Sequence, residues 1–236
     1  MKDILLVTCT RLSEDEFWKS SKLAPYIKMQ LKASNIYDAH IVSNNTDGIG
    51  KCYNRFITEE NKDKYILFVH DDIEIYNIDL KVKVNAALSQ FDIIGLAGNS
   101  IHNPQQSPAT WQTGTIDNAM SRSGQVAHEH EFKIKQNNQL TKKLLTTMNF
   151  FGPTNIGAKV IDGVFIGVNV EKILERDHKF DEQFDFHFYD LDFSYGATKK
   201  GLKVGTWDIY IKHYSHGNYN SDGWRNNEIK YKNKWK

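Results

Sequence analysis

An apolar run that stops abruptly at charged residues constrains the fold of this chain more than any other feature. Residues 65–69 are Tyr-Ile-Leu-Phe-Val, and His70, Asp71 and Asp72 follow at once. Such a run is typical of a strand buried in a sheet, which holds the polar cluster that follows at the rim of the fold. Two adjacent carboxylates repel each other unless a cation neutralises them, so the first hypothesis for this cluster is a divalent metal site.

Strands and helices alternate along the first 97 residues. Apolar runs at residues 4–9, 39–43 and 66–69 predict strands, and Ser13 followed by Glu16 has the form of a capping box that opens a helix. This alternation predicts an α/β fold with a Rossmann-like, mostly parallel sheet flanked by helices.

Polar residues follow each of these three strands. Ligands of parallel sheets bind beyond the carboxyl ends of the strands. Residues 8–11, Asn44 with Asn45, and residues 70–72 all lie at such ends. We therefore expect three separate segments to converge on one crevice.

The pattern changes in the second half of the chain. Residues 98–158 hold three of the four prolines and many polar residues, which predicts an irregular insert over the crevice with weak strand signals. Regular structure is expected again at residues 159–168, and a strand pair at residues 202–207 and 209–213. We find no repeat and no linker, which favours one domain.

Composition excludes some classes of function. The formal net charge is +1, from 30 Lys and Arg against 29 Asp and Glu, so no overall field attracts nucleic acid. The two cysteines, Cys9 in a predicted strand and Cys52 in a predicted helix, suggest no disulfide framework and favour a reducing cytoplasm. No apolar stretch approaches membrane-spanning length, which predicts a soluble protein. The basic and aromatic residues 230–236 are expected to form either a contact with anionic lipid or a solvated tail.

A second cluster, residues 180–195, is dense in acids and aromatics. It contains Asp190 and Asp192, and it ends in a helix that Gly201 can terminate. Aromatic walls around carboxylates exclude water, which suits either catalysis or the packing of a sugar ring. The two acids are also well placed to cap the helix.

Together these segments resemble nucleotide-sugar glycosyltransferases of the GT-A fold, of the bacterial, family 2-like kind. The resemblance covers most of the chain and is weakest across residues 98–158. Its carriers are a first strand ending Thr8-Cys9-Thr10, a helix start at residues 50–54, Phe68-Val69-His70-Asp71-Asp72 as the counterpart of the DxD motif, Asp162-Gly163 before an apolar strand, Tyr189-Asp190-Leu191-Asp192 as the counterpart of the ED-x-D motif, and a late histidine, His213.

The resemblance implies a role for each matching residue. Asp72 and His213 would bind Mn²⁺ or Mg²⁺, and Asp190 would be the catalytic base. The residues expected to bind the nucleotide sugar are Thr8, Cys9, Thr10, Arg11, Asn44, Asn45, Asn54, Asp71, Asp162 and Gly163. Two departures stand out, since Tyr189 occupies a position where the family usually has Glu and His70 one where a first acid is common.

The resemblance also implies a reaction and an organisation. One domain, residues 1–236, would consist of a nucleotide-binding half, 1–97, and an acceptor-side half with a smaller sheet, 98–236. It would move a sugar from a nucleoside diphosphate sugar, with UDP as the expected nucleotide, to a glycan or lipid-linked acceptor with inversion. The expected location is the cytoplasm, with peripheral contact at the inner face of the membrane through the basic C-terminus.

Two other classes of function stay open at this point. A nucleotidyltransferase acting on sugar phosphates would usually carry a Gly-rich basic loop where this chain has residues 10–13, Thr-Arg-Leu-Ser. A non-catalytic carbohydrate-binding protein is favoured if the acids serve only as helix caps. His128 and His130 are interpreted as a polar strand face rather than a zinc site, Trp111 as either an acceptor contact or part of a surface loop, and His216 is left unassigned.

Overall fold

The computed structural model describes residues 1–112, 120–136, 139–215 and 219–236, and it describes residues 132–136 and 139–141 by their backbone alone. In these ranges the strands are β1 (Ile4–Cys9), β2 (Asp38–Val42), β3 (Tyr65–Val69), β4 (Ile73–Ile75), β5 (Ile93–Gly95), β6 (Ala97–Asn99), β7 (Arg122–Gln136), β8 (Gln139–Gly152), β9 (Ile156–Gly157), β10 (Val160–Ile161), β11 (Phe165–Asn169), β12 (Val204–Thr206) and β13 (Ile211–His213). The α-helices are α1 (Glu14–Ser20), α2 (Ala24–Lys32), α3 (Ile49–Asn54), α4 (Leu80–Leu88), α5 (Val170–Glu175), α6 (Tyr189–Lys199) and α7 (Asp222–Lys234), and Glu59–Asn61 form a 3₁₀ turn.

The larger sheet has seven strands in the order β2-β1-β3-β11-β5-β12-β9. Strands β2, β1, β3, β5 and β12 run in one direction, and β11 lies antiparallel between β3 and β5. Every residue of β3 and β11 is buried, as the apolar runs in the sequence require. The predicted α/β class, with a mostly parallel sheet, flanking helices and a second, smaller sheet, is confirmed.

The smaller sheet has the order β10-β6-β7-β13-β4, and β8 pairs with β7. Strands β7 and β8 form a long antiparallel hairpin in the region that the sequence predicts to be mostly irregular. The hairpin bends at a register shift between Gly124 and Gln125. Gly124 has a φ of 96°, which a residue with a side chain rarely adopts, so glycine is required at this bend.

The expected strand pair at residues 202–207 and 209–213 is wrong. Strand β12 lies parallel to β5 in the larger sheet, whereas β13 pairs with β4 and β7 in the smaller one. The chain therefore changes sheets between these two strands instead of folding back as a hairpin. The alternation of apolar and polar residues predicts a strand, but it does not specify the neighbour of that strand.

Two chain crossings between the sheets bring polar residues together. Residues 70–72 connect β3 of the larger sheet to β4 of the smaller one, and residues 162–164 connect β10 to β11. The two crossings touch, because the His70 backbone N–H donates to the Val164 carbonyl at 3.1 Å. We call this place the seam, and the polar residues of both crossings are held there by buried strands on either side.

A disulfide joins Cys9 and Cys52, which corrects the expectation that the two cysteines supply no disulfide. Helix α3 packs over the end of β1 and buries Cys52 completely against Cys9. The thiol of Cys9 is thus already engaged, so this side chain offers no free sulfur to a nucleotide. Disulfides persist in oxidising compartments, so the cysteines give no support to the expectation of a reducing cytoplasm.

The C-terminus is a packed helix instead of a solvated tail. Helix α7 buries Trp224 and Tyr231 in the core. Near its end, Lys234 makes ion pairs with Asp181 and Asp192 at 2.7 and 2.8 Å. Contact of this segment with a membrane surface remains a prediction. In the described part of the chain, no helix has the length and apolarity needed to cross a membrane.

Candidate functional site

A cavity of about 290 Å³ opens at the seam between the two sheets. It is walled by polar residues of both crossings and by aromatic residues of the second acidic cluster. Among the described residues that line it are His70, Asp72, Trp111, His128, Asp162, Gly163, Phe186, Tyr189, Asp190, His213, Tyr219 and Trp224. The cavity thus joins Asp72, His213 and Asp190, three residues that are far apart in the sequence.

Three side chains that line the cavity are arranged so that they could hold a metal ion. One ligand atom from each of His70, Asp72 and His213 lies within 4.8 Å of the others. Asp72 Oδ1 is 3.4 Å from His213 Nε2 and 4.0 Å from His70 Nδ1. Asp72 Oδ1 and His213 Nε2 are buried and lack a hydrogen-bond partner. Buried polar atoms without partners are costly, so this donor set fits a divalent cation.

Strand pairing places His213 beside Asp72. In the antiparallel ladder between β4 and β13, His213 lies opposite Ile73, and the Tyr214 backbone N–H donates to the Asp72 carbonyl at 3.1 Å. The position of His213 follows from the register of two short strands more than 130 residues apart in the sequence. A shift of one residue would turn its imidazole to the other face of the sheet.

The electrostatic environment keeps this cluster in a form that can bind a cation. Burial lowers the pKa of His70, which favours the neutral imidazole. Burial alone would raise the pKa of Asp72, but the neighbouring His213 and His70 imidazoles more than offset it and hold this pKa below its ordinary value. A neutral imidazole and an ionised carboxylate are the forms in which these side chains coordinate metals.

Tyr189 connects His70 to Gly163. Its hydroxyl donates to the Gly163 carbonyl at 2.8 Å and lies 2.9 Å from His70 Nε2. Burial raises the pKa of Tyr189 far above its ordinary value, so the hydroxyl keeps its proton. The two departures from the motifs, Tyr189 and His70, are therefore partners in space.

Asp190 projects from the first turn of α6 into the same cavity. Phe188, the residue directly before α6, has a φ of 68°, a left-handed conformation that turns the chain sharply into the helix. One Asp190 carboxylate oxygen accepts the Gly163 backbone N–H at 2.8 Å. Burial, reinforced by the charge of Asp162, raises the pKa of Asp190 to about 7. A carboxyl group with this pKa can exchange a proton near neutral pH.

Asp162 and Trp111 form another part of the cavity wall. The Trp111 indole N–H donates to Asp162 Oδ2 at 2.7 Å, and the Val164 backbone N–H donates to Asp162 Oδ1 at 3.0 Å. Trp111 is buried and its ring meets Phe151 edge to face. Trp111 is thus a fixed part of the cavity wall, and the alternative of a surface loop is wrong for this residue.

Asp192 points away from the cavity although it is only two residues from Asp190. Its carboxylate accepts the Trp235 indole N–H at 2.9 Å and pairs with Lys234 at 2.8 Å. It is 3% exposed and fastens α6 to the C-terminal helix. The two acids of the motif therefore differ in surroundings, and only Asp190 reaches the cavity.

Several residues expected to bind the nucleotide lie beside the cavity instead of in its wall. The Thr10 hydroxyl donates to Asp71, the Asn45 backbone N–H donates to the Thr10 carbonyl at 2.9 Å, and Asn44 bonds Leu12 through its backbone at 2.8 Å. This group continues from Asp72 along the carboxyl ends of β3, β1 and β2. The other members of the predicted set at these ends are Thr8, which is buried with an unpartnered hydroxyl, Cys9 and the exposed Arg11.

The side chain of Asn54 makes a structural contact with the backbone of Phe180. Its side-chain amide donates to the Phe180 carbonyl at 2.9 Å and accepts the Phe180 backbone N–H at 2.9 Å. This pair of bonds ties α3 to the start of the acidic and aromatic segment. Asn54 does not line the cavity, so its contact with a nucleotide remains a prediction.

The sequence did not single out two histidines of the cavity as site residues. His70 was included in the cluster expected to bind a metal but was not named as a ligand, and His128 was interpreted as a polar strand face. His128 lines the cavity, and its ring centre lies 5.4 Å from that of His213 on the neighbouring strand. The position of His70 directly after a buried strand was an available signal, whereas that of His128 depends on strand pairing. His216 lies outside the described residues.

Comparisons with known proteins bear on the fold. No protein-family model matches the chain, and no curated protein matches it in sequence. Among solved structures, A197 from STIV is 12% identical with a TM-score of 0.50, covering 90% of this chain and 86% of A197. The catalytic domain of Drosophila beta1,4-galactosyltransferase 7, in complex with xylobiose, is 12% identical with a TM-score of 0.50, covering 94% of this chain and 74% of that domain.

A third structure, HddC from Yersinia pseudotuberculosis, is 10% identical with a TM-score of 0.42 over the full length of both chains, which is too low to support an argument. At these identities the likeness concerns the fold alone. The chain has a glycosyltransferase-like α/β fold of the GT-A type.

Proposed function

We propose that this protein is a metal-dependent glycosyltransferase. It moves a sugar from a nucleoside diphosphate sugar, with UDP as the first candidate nucleotide, to a glycan or lipid-linked acceptor. The observation that carries the proposal is that Asp72, His213 and Asp190 line one cavity. The likeness in fold to a galactosyltransferase catalytic domain supports it. In this proposal residues 1–97 bind the nucleotide and residues 98–236 bind the acceptor, within one domain.

The cation of this proposal is Mn²⁺ or Mg²⁺, held by Asp72 and His213. When bound, such an ion neutralises the negative charge that grows on the departing diphosphate. The support is chemical, since Asp72 Oδ1 and His213 Nε2 are buried atoms that find no hydrogen-bond partner in the described protein. Their separation of 3.4 Å is short enough for both to contact one ion.

Asp190 is the proposed catalytic base. Its carboxylate is held by the Gly163 N–H and lines the cavity, which places it to accept the proton of an acceptor hydroxyl. A positioned base of this kind contributes about 10²- to 10⁴-fold to the rate. If the base and the cation act on opposite sides of the bound sugar, direct displacement with inversion at the sugar carbon is the simplest reaction.

The nucleotide is proposed to lie along the strand ends next to Asp72. Thr10 orients the Asp71 carboxylate, which can then accept hydrogen bonds from ribose hydroxyls. Asn44, Asn45 and Arg11 would contact the base and ribose, with backbone groups of Thr8 and Cys9 at the end of β1. Asp162 and Gly163 would face the transferred sugar, because they line the same cavity as Asp72, His213 and Asp190.

A neighbouring cavity of about 300 Å³ suits the acceptor. Among its described walls are Tyr219 and Trp224, which also line the first cavity, and the polar side chains of Gln112 and Asn220. Aromatic rings pack against the apolar faces of sugars, and amides bond their hydroxyls. This combination supports a glycan as the acceptor, next to Asp190.

The test is a thermal shift measurement with UDP and GDP, with and without Mn²⁺. At a nucleotide concentration 100 times its Kd, we expect stabilisation by about 2.7 kcal/mol, equivalent to about 5–10 °C, only when the metal is present. Asp72→Ala should abolish this shift. The matched control is Asp208→Ala, a half-exposed carboxylate that pairs with Lys83 outside the cavity lining, and it should keep the shift.

Nucleotide stabilisation that ignores the metal, or that survives in Asp72→Ala, would contradict the proposal. A panel of nucleotide sugars, scored by hydrolysis of the donor, then identifies the sugar. A carbohydrate-binding protein without activity would bind glycans but show neither the metal-dependent shift nor donor hydrolysis.

A further inference from the structure

The hydrogen bond between His70 and Tyr189 determines which nitrogen of His70 carries the proton. A tyrosine hydroxyl has one proton, and that of Tyr189 is donated to the Gly163 carbonyl at 2.8 Å. The His70 Nε2 atom, 2.9 Å from the same hydroxyl, must therefore be the donor of that contact. In the neutral ring, the lone pair is then left on Nδ1.

That lone pair faces another acceptor. His70 Nδ1 lies 4.0 Å from Asp72 Oδ1, which in turn lies 3.4 Å from His213 Nε2. A hydrogen bond does not span 4.0 Å, so a proton between His70 and Asp72 would leave both atoms poorly paired. Each distance is shorter than twice a metal–ligand bond of about 2.1 Å, so one ion can contact both members of each pair.

We propose that His70 is a third protein ligand of the metal, through Nδ1, and that Tyr189 positions it by fixing the tautomer. The site then offers two imidazoles and one carboxylate. It selects a first-row transition-metal ion over Mg²⁺, because Mg²⁺ prefers oxygen ligands and imidazole suits the transition metals. The inference concerns the metal site of the proposed function and rests on that proposal for its role in catalysis. Its chemistry can be tested by metal binding alone.

The experiment is a Co²⁺ titration of the full-length protein after treatment with a chelator. Binding is followed by the visible absorption of Co²⁺ and by calorimetry, and Mg²⁺ is then added as a competitor. We expect Co²⁺ to bind with the spectrum of a nitrogen- and oxygen-liganded site, and millimolar Mg²⁺ to leave it in place. His70→Gln removes a ligand and should weaken Co²⁺ binding at least tenfold.

Tyr189→Phe tests the positioning role, because it removes one oxygen atom and leaves all three ligands present. Groups that orient a ligating histidine are typically worth about 10- to 100-fold in metal affinity, so we expect a loss within this range and a changed Co²⁺ spectrum. Tyr231→Phe is a matched control. Its hydroxyl lies 2.7 Å from His102 Nε2, an equivalent pair outside the cavity lining, and its loss should leave the Co²⁺ affinity unchanged.

Three results would overturn the inference. These are displacement of Co²⁺ by Mg²⁺ at similar concentrations, a Co²⁺ affinity of folded His70→Gln within twofold of the parent, or equal effects of Tyr189→Phe and Tyr231→Phe. Circular dichroism establishes that each variant is folded. If Co²⁺ binds as expected but no nucleotide stabilises the protein, the proposed function fails while the metal site stands.

Discussion

Replacement of Asp190 by asparagine should stabilise the protein at pH 8 while removing most of the proposed transfer activity. The two side chains have the same shape, and the asparagine oxygen can still accept the Gly163 N–H that Asp190 accepts at 2.8 Å. What the substitution removes is a negative charge that the folded protein solvates poorly. The expected gain in stability therefore measures the free-energy cost of ionising Asp190 in the folded protein.

The magnitude follows from the pKa of Asp190, which burial and the charge of Asp162 raise from 3.8 to about 7. At about 1.4 kcal/mol for each pH unit, this rise corresponds to about 4 kcal/mol. Water in the cavity screens part of it, so we expect about 2–4 kcal/mol. The folded protein holds this proton more tightly than the unfolded chain does. The stability that protonated Asp190 contributes is therefore fully present below about pH 4. It is lost as the pH rises to about 7 and above.

The assay is urea denaturation of both proteins at several pH values between 4 and 8, in the presence of a chelator. The free energies of unfolding should be similar at pH 4 and should diverge as the pH rises, with the Asp190→Asn variant the more stable at pH 8. Asp38→Asn is the control, because this exposed carboxylate on β2 should change stability by less than about 0.5 kcal/mol. A difference that is independent of pH, or a less stable Asp190→Asn variant at pH 8, would refute the reasoning. Transfer activity of the variant should fall by about 10²- to 10⁴-fold.

Three further predictions concern the supports of the site. Gly163→Ala adds a methyl group that overlaps the Tyr189 hydroxyl, so we expect a loss of about 1–3 kcal/mol in thermal denaturation and a fall in transfer activity of about 10²-fold. Asp192→Ala removes the acceptor of the Trp235 indole N–H and one of the two carboxylate partners of Lys234, and should cost about 1–3 kcal/mol, measured by urea denaturation. Cys52→Ala opens the disulfide that spans 43 residues, and should cost about 3–4 kcal/mol under oxidising conditions, whereas a reductant should lower the melting temperature of the parent protein only.

Local features were predicted well from the sequence. Ser13 caps α1 through the predicted capping box with Glu16, since both partners lie within one helical turn. The buried run at residues 65–69 is strand β3 over its full length. These features depend on residues that are close in the chain, and the folded protein keeps the local conformation that these residues favour.

Features that depend on distant pairing were not predicted. The β7–β8 hairpin lies in a polar segment, where turn and strand signals are weak, and it is held by cross-strand pairing over many residues. Residues 202–213 were correctly expected to contain two strands, but each strand pairs with a partner from another part of the chain. The contact between Cys9 and Cys52 likewise requires α3 to pack over the end of β1.

The features of the candidate site can be divided in the same way, into those that the sequence determined and those that depend on the tertiary structure. The sequence alone determined which segments end in acids and imidazoles after buried strands, and the resemblance carried by those segments singled out Asp72, His213 and Asp190. Only the tertiary structure decided that His70 faces Asp72 and that Tyr189 fixes its ring. The physical reason is that chemistry-bearing residue types are visible in the sequence, whereas the direction of a side chain depends on strand register and on where the chain passes from one sheet to the other.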